Sequence, residues 1–543
     1  MISKIRILVL LMIFSITATN AVAQTDTVAA PATATPTATE AAAPAATTAP
    51  TVTKTPDPNG ALTGATADIT AVKAGKPTPT EVTDQVGKNK VSINMVWLLI
   101  TGFLVFFMQA GFALVEAGLT RAKNVAHTMA MNLFVYPAGV LGFFLCGFAI
   151  MFGGVGPLGT LGGFDGLNQE FSINLFGHAF GLFGTKGFCL DGVYDVGVLG
   201  FFLFQVVFMD AAATIPTGAM AERWKFASFA ISGVLVGGLI YPMYGNWVWG
   251  GGWLAQLGTN FGLGHGHVDF AGSSVVHLTG GVLAFVGARM IGARLGKYNK
   301  DGSPNAIPGH NIPMAVLGTL ILAFGWFGFN AGSTFAGTDL RFAVVAFNTM
   351  LASCGGALAS TVWIWFVRGN KPDVSMMCNG LLAGLVAITA GCAFVTPFGG
   401  LIIGLISGIL VVEVTFLVER KFRIDDPVGA IAVHGANGVW GVLALGLFAD
   451  GKYGDGLNGV KGNVTGLFYG GGSGQLIAEF IGAATNIVFV GIAGFLMFKL
   501  LDALVGNKVS QDVELYGLDI PEMGLDGYSG IKMDKNAETP LSK

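Results

Sequence analysis

The sequence predicts an all-helical membrane protein with eleven transmembrane helices: two five-helix repeats in inverted orientation and a peripheral eleventh helix. Three observations carry this expectation. The chain of 543 residues is 52% hydrophobic and only 11% charged, about half the charged fraction of a soluble domain. Long stretches contain no Asp, Glu, Lys or Arg, namely Asn124 to Phe164, Phe226 to Val268 and Val374 to Val412. Each exceeds the ~20 residues a helix needs to cross a bilayer, and the last has room for two spans broken near Pro397. Positive charge falls in alternate loops, the pattern of a chain threaded back and forth. A β-barrel is excluded because the apolar runs are continuous rather than alternating.

Taken in order, residues 1–23 read as a signal peptide. Lys4 and Arg6 precede a short apolar run, and Ala21-Val22-Ala23 offers a small-residue cleavage site; an uncleaved anchor helix is the alternative. Residues 24–90, rich in Ala, Thr and Pro, have too few large apolar side chains to fold and are expected as a disordered extracytoplasmic tail. The membrane domain is expected over 91–502, and a cytoplasmic tail over 503–543. Spans are expected at about 93–117, 127–152, 195–219, 226–249, 273–293, 312–332, 341–367, 374–396, 398–418, 427–448 and 473–502. Arg121 and Lys123, Arg223 and Lys225, Arg289 to Lys300, Arg368 and Lys371, Arg420 to Arg423, and Lys499 with Lys508 share one side. That side is then cytoplasmic, with the N-terminus outside and the C-terminus inside a multi-pass cell (inner) membrane protein. The five cysteines, four of them in spans, read as packing residues rather than a disulfide framework. Small-residue runs such as Gly380-Leu-Leu-Ala-Gly384 and Gly400-Leu-Ile-Ile-Gly404 allow close helix approach.

Two fragments read almost alike: Asp269-Phe-Ala-Gly-Ser-Ser-Val-Val-His277 and Asp426-Pro-Val-Gly-Ala-Ile-Ala-Val-His434. Each histidine lies ~12 Å along its helix from its aspartate. The fifth and tenth spans run in opposite directions, so both histidines fall near the midplane and could touch. Intramembrane polar residues are costly and mark function. A metal pair, a helix-bridging hydrogen bond and a proton-handling relay are the readings open to them. A metal site needs three or four ligands, and no third one lies at that depth; no metal or cofactor is expected. The aspartates, at helix starts, read as N-caps. Asp210 is a buried acid without an assigned role.

Trp249 ends the fourth span and Ser333 the sixth at the same, outer face; Phe204 and Phe208 lie one turn apart in the outer half of the third. An aromatic face attracts a desolvated cation and a hydroxyl accepts its hydrogen bond. Such a vestibule suits a small monovalent cation that donates hydrogen bonds; an interfacial aromatic belt is the alternative.

Over about 91–530 the chain resembles the ammonium transporter (Amt/Mep/Rh) family, of bacterial Amt type. The resemblance rests on Phe112-Ala-Leu-Val-Glu-Ala-Gly118, Gly218-Ala-Met-Ala-Glu-Arg223, the two Asp-x7-His fragments, Gly325-Trp-Phe-Gly-Phe-Asn-Ala-Gly-Ser333 and Thr389-Ala-Gly-Cys392. It implies homotrimers with one pore per subunit. It implies that Trp249, Ser333 and Phe208 form an outer ammonium site, with Phe204 on its wall and Asp269 supporting it. Phe208 and Phe329 would be a stacked gate, Trp326 a pore wall, and His277 with His434 the twin pore histidines. Gly517-Leu-Asp-Ile-Pro-Glu-Met-Gly524 is similar to the family's C-terminal motif. Met523-Gly524-Leu525 replaces the usual His-Gly-Glu, which puts docking of a PII-type signal protein in doubt. The implied function is ammonium or ammonia transport for nitrogen uptake, with methylammonium as analogue and the lipid bilayer as solvent. An ammonium sensor is the alternative; neither an enzyme nor nucleic-acid binding is implied.

Overall fold

The computed structural model describes residues 66–528 apart from Pro157, Phe164, Asp165 and Tyr194. The expected signal peptide and most of the N-terminal tail lie outside that range, as do residues 529–543. Two compact units divide at residue 92.

In the first unit, Thr78 caps a helix that starts at Pro79. Glu81 Oε2 accepts from the Thr78 amide at 2.7 Å and from its hydroxyl at 2.9 Å, and the Glu81 amide returns a bond to Thr78 Oγ1 at 3.3 Å. This reciprocal box, with Pro at the first helical position, is a strong helix start. It corrects the expectation of disorder over 24–90, since residues 79–90 are helical.

The helices are α1 (Pro79–Leu119), α2 (Ala122–Phe152), α3 (Val196–Met220), α4 (Phe226–Trp249), α5 (Ser273–Ile291), α6 (Ile312–Gly332), α7 (Phe342–Val367), α8 (Val374–Ile388), α9 (Pro397–Lys421), α10 (Ile431–Phe448) and α11 (Gly474–Leu504). Ten are long and apolar enough to cross a membrane; α8 has 15 residues. Its span was expected to reach residue 396, but the backbone leaves the helix after Ile388. Lipid offers no partner to such a backbone, so the protein supplies them. Ser273 Oγ accepts from Ala390 N at 2.7 Å, and Asn348 Nδ2 donates to the carbonyls of Cys392 and Val395 at 2.9 and 2.8 Å. Thr396 then caps α9 through Gly399 N. A hairpin that the sequence reading did not anticipate, β1 (Glu170–Leu175) with β2 (His178–Gly184), joins α2 to α3.

Small residues bring the helices together. A Cβ on Gly384 or on Gly404 would lie 2.2 Å from the Ala352 carbonyl, so α8 and α9 both close onto α7. Where α5 crosses α10, a Cβ on Gly281 would meet the Gly435 amide at 2.3 Å. Both α5 and α10 open with a π-helical segment, Ser273–Leu278 and Ile431–Ala436. The two five-helix halves therefore share this local irregularity as well as the Asp-x7-His spacing.

The basic face is closed by buried ion pairs. Arg294 clamps Asp425 with two bonds of 2.8 and 2.9 Å and reaches Glu222 at 2.6 Å, while Arg121 also pairs with Glu222. Burial alone would raise the Asp425 and Glu222 carboxyls; the guanidinium groups outweigh it and hold both below their ordinary values. The C-terminal segment lies across this face. Asp519 Oδ1 accepts from His127 N at 2.9 Å, Glu522 Oε2 from Phe226 N at 3.0 Å, and Tyr528 Oη meets His310 Nε2 at 2.7 Å.

Candidate functional site: a vestibule and an aromatic column

On the face opposite the ion pairs, a cavity of about 900 Å³ is lined by Phe208, Trp249 and Ser333, together with Gln205, Glu170 and Asp339. Trp249 is fixed by its Nε1 donating to the Asp269 carbonyl at 2.6 Å, and Ser333 Oγ bonds to Phe329 O at 2.8 Å. Burial raises the Glu170 carboxyl to about 7, against a hydrogen bond from Asn246. Phe204 does not line this cavity. It is buried behind Phe208, ring centroids 4.7 Å apart, and Gln205 and Phe335 form that wall instead.

Phe208, which lines the cavity, stacks on Phe329, with ring centroids 4.0 Å apart at 27°. Below it the rings continue as a column. His277 stacks on Phe329 at 5.4 Å and on Trp326 at 4.9 Å, and His434 follows at 5.2 Å. His277 Nδ1 meets His434 Nδ1 at 3.2 Å. Trp326 is held by Nε1 donating to Thr389 Oγ1 at 2.9 Å, so the broken end of α8 orients a ring of this column. Phe112 follows His434 at 6.2 Å, and beyond lies a small cavity lined in part by His434, Phe112 and Glu116.

Asp269 stays out of this path. Its carboxylate accepts from the amides of Gly272, Ser273, Ser274 and Val275 and from Ser274 Oγ, at 2.7 to 3.0 Å. It is a helix cap that also carries the Trp249 anchor. Asp426 caps α10 through Gly429 and Ile431 amides at 3.0 and 2.8 Å. Asp210 is buried with Oδ1 lacking a hydrogen-bond partner, and lines neither cavity. Sequence reasoning missed Gln205, Glu170 and Thr389; only the last sat in a quoted motif. Among the described residues, no cluster of three or more His, Cys, Asp or Glu could hold a metal.

A bundle of apolar helices around a column of stacked rings, open to a wide vestibule, defines a polytopic membrane transporter for a small solute. The family model described as Ammonium Transporter Family matches residues 96–528, and the chain belongs to that family. Ammonium transporter Amt2 of Archaeoglobus fulgidus is 45% identical over 457 residues, covering 83% of this chain and 92% of that one. Ammonium transporter 1 member 3 of Solanum lycopersicum is 34% identical, covering 82% and 95%. Among solved structures, a protein described as Sensor Amt Protein has a TM-score of 0.69 at 34% identity, covering 80% of this chain and 99% of that one. Candida albicans Mep2 has a TM-score of 0.66 at 25% identity, covering 83% and 93%. Ammonium transport is accordingly the function of this protein.

Proposed function

We propose that ammonium is recruited at Trp249, Ser333 and Phe208, loses its proton at the Phe208–Phe329 gate, and crosses as ammonia along His277 and His434. The observation that carries this reading is the unbroken column from Phe208 to His434 beneath a polar vestibule. A bare ammonium ion would lose its hydration in so dry a passage, at a cost of many kcal/mol. Deprotonation removes that cost, whereas sodium and potassium have no proton to give up. The twin imidazoles then offer hydrogen bonds where the wall is otherwise apolar. The vestibule faces outward and the ion-paired face is cytoplasmic, because the basic loops lie on the latter. The subunit works within a homotrimer, each copy with its own pore.

Methylammonium uptake into proteoliposomes, measured beside the current on a supported membrane at several pH values, tests this reading. Uptake that saturates and falls on substitution of Trp249 supports it; saturable uptake unchanged by that substitution overturns recruitment at this site. A current proportional to uptake places the proton in the same path.

A further inference from the structure

Behind the vestibule, a chain of buried polar groups runs from α11 to the carbonyl that holds Trp249. Glu479 Oε2 on α11 lies 2.6 Å from His267 Nδ1. His267 Nε2 lies 2.9 Å from Ser274 Oγ and 3.3 Å from Tyr244 Oη. Ser274 Oγ in turn donates to Asp269 Oδ2 at 2.7 Å. Glu479 and His267 are buried, at 0% and 2% exposure. Asp426, the symmetry mate of Asp269, accepts from backbone amides and carries no such extension among the described residues. The extension is therefore peculiar to the outer half-site, and it gives the eleventh helix, which belongs to neither repeat, a place in that site.

Counting hydrogens shows what the chain holds. Ser274 directs its only hydroxyl hydrogen to Asp269, and Tyr244 directs its own to the Gly482 carbonyl at 3.1 Å. Both oxygens thus face His267 Nε2 as acceptors, so Nε2 carries a hydrogen. Nδ1 and the carboxylate oxygen lie 2.6 Å apart as an ion pair rather than as an aligned hydrogen bond, an approach that a proton held on the pair accounts for. The pair holds one proton more than a neutral imidazole beside a carboxylate.

We propose that Glu479, His267 and Ser274 form a protonation-controlled relay that positions the ammonium recruitment site. With the pair protonated, the Ser274 hydroxyl is aimed at Asp269. When the pair releases its proton to water, Nε2 becomes an acceptor, the Ser274 hydroxyl turns to it, and Asp269 is left with an unfilled acceptor. One negative charge is added beside the cation site. The groups facing His267 are Glu479 from α11, Tyr244 from α4 and, through Ser274, Asp269 of its own loop. Burial lowers the imidazole, but Glu479 and, more weakly, Asp269 outweigh it and raise His267 above its ordinary value. The change therefore falls above pH ~6.5.

The relay rests on the recruitment reading, and one series of measurements separates the two. Methylammonium KM is measured from pH 5.5 to 9 in proteoliposomes of the full chain, in a Glu170→Gln background so that the vestibule carboxyl does not titrate. KM is expected to fall by about threefold to tenfold as pH rises through the titration of the pair. His267→Gln abolishes that step, and Glu479→Gln moves it down by about one pH unit or more. Ser274→Ala keeps the four backbone donors to Asp269 and decides the matter where His267→Gln does not fold; it should flatten the step. A step unchanged in folded His267→Gln or in Ser274→Ala, or no step in the parent, overturns the relay. Trp249→Leu is the control: unchanged KM there overturns the recruitment reading itself.

Discussion

His277 Nδ1 and His434 Nδ1 stand 3.2 Å apart although 157 residues separate them in the chain. Only one of the two nitrogens can donate across that gap, so the rings fix each other's tautomer. His277 Nε2 is buried without a hydrogen-bond partner, which leaves it available to a solute in the column.

Replacing either histidine by alanine removes one wall and releases the other ring. Methylammonium uptake is expected to change at least ~10-fold in each single variant, since a buried polar partner is left unpaired. Unchanged uptake in both would remove the histidines from the path.

Trp249→Leu keeps an apolar side chain and deletes the ring face. Loss of a cation–π contact of ~1–2 kcal/mol corresponds to a KM higher by about 5- to 30-fold, with little change in maximal rate. Uptake kinetics at fixed pH measure it.

Gly281→Ala places a methyl where the Gly435 amide lies 2.3 Å away. Neither partner is a flexible side chain, so α5 and α10 must separate. Overpacking of this kind costs about 1–3 kcal/mol. A lower unfolding temperature in detergent is expected, together with reduced uptake, because the same crossing holds the histidine pair. Glycine at position 251, with open space around its Cβ, has positive φ, so it is no neutral control; Gly491, whose nearest neighbour is Val282 at 3.9 Å, serves that purpose.

Acid should loosen the basic face. The folded state holds Asp425 below its ordinary value, so its contribution is complete above pH ~4 and disappears as pH falls towards the folded value. Asp425→Asn leaves Arg294 and Arg223 without that charge and is expected to cost about 3–5 kcal/mol at neutral pH. Unfolding in detergent as a function of pH checks both; in the variant, the acid-side loss that Asp425 contributes should be absent.

Much of the candidate site was legible in the chain because membrane helices are written in long apolar runs. Charge alternation placed Trp249 and Ser333 at one face, and the repeated Asp-x7-His spacing placed His277 and His434 at one depth. Those inferences need only helix rise and topology. The early start of α1 is also written locally, in Thr78 and Glu81, whereas the Ala, Thr and Pro content of residues 24–90 points to disorder. The end of α8 was not legible, because residues 389–396 are as apolar as those before them. Their backbone is released from the helix by partners 44 and 47 residues away, on Asn348, and by Ser273 in another half.

By itself, then, the sequence determined the class, the number of spans and which residues share a depth, since hydrophobicity and period are local properties. Only the tertiary structure decided which side chains meet. Phe204 fell behind Phe208, and Glu479 reached His267 across 212 positions. Such contacts depend on helix rotation and close approach, which many distant small residues set together.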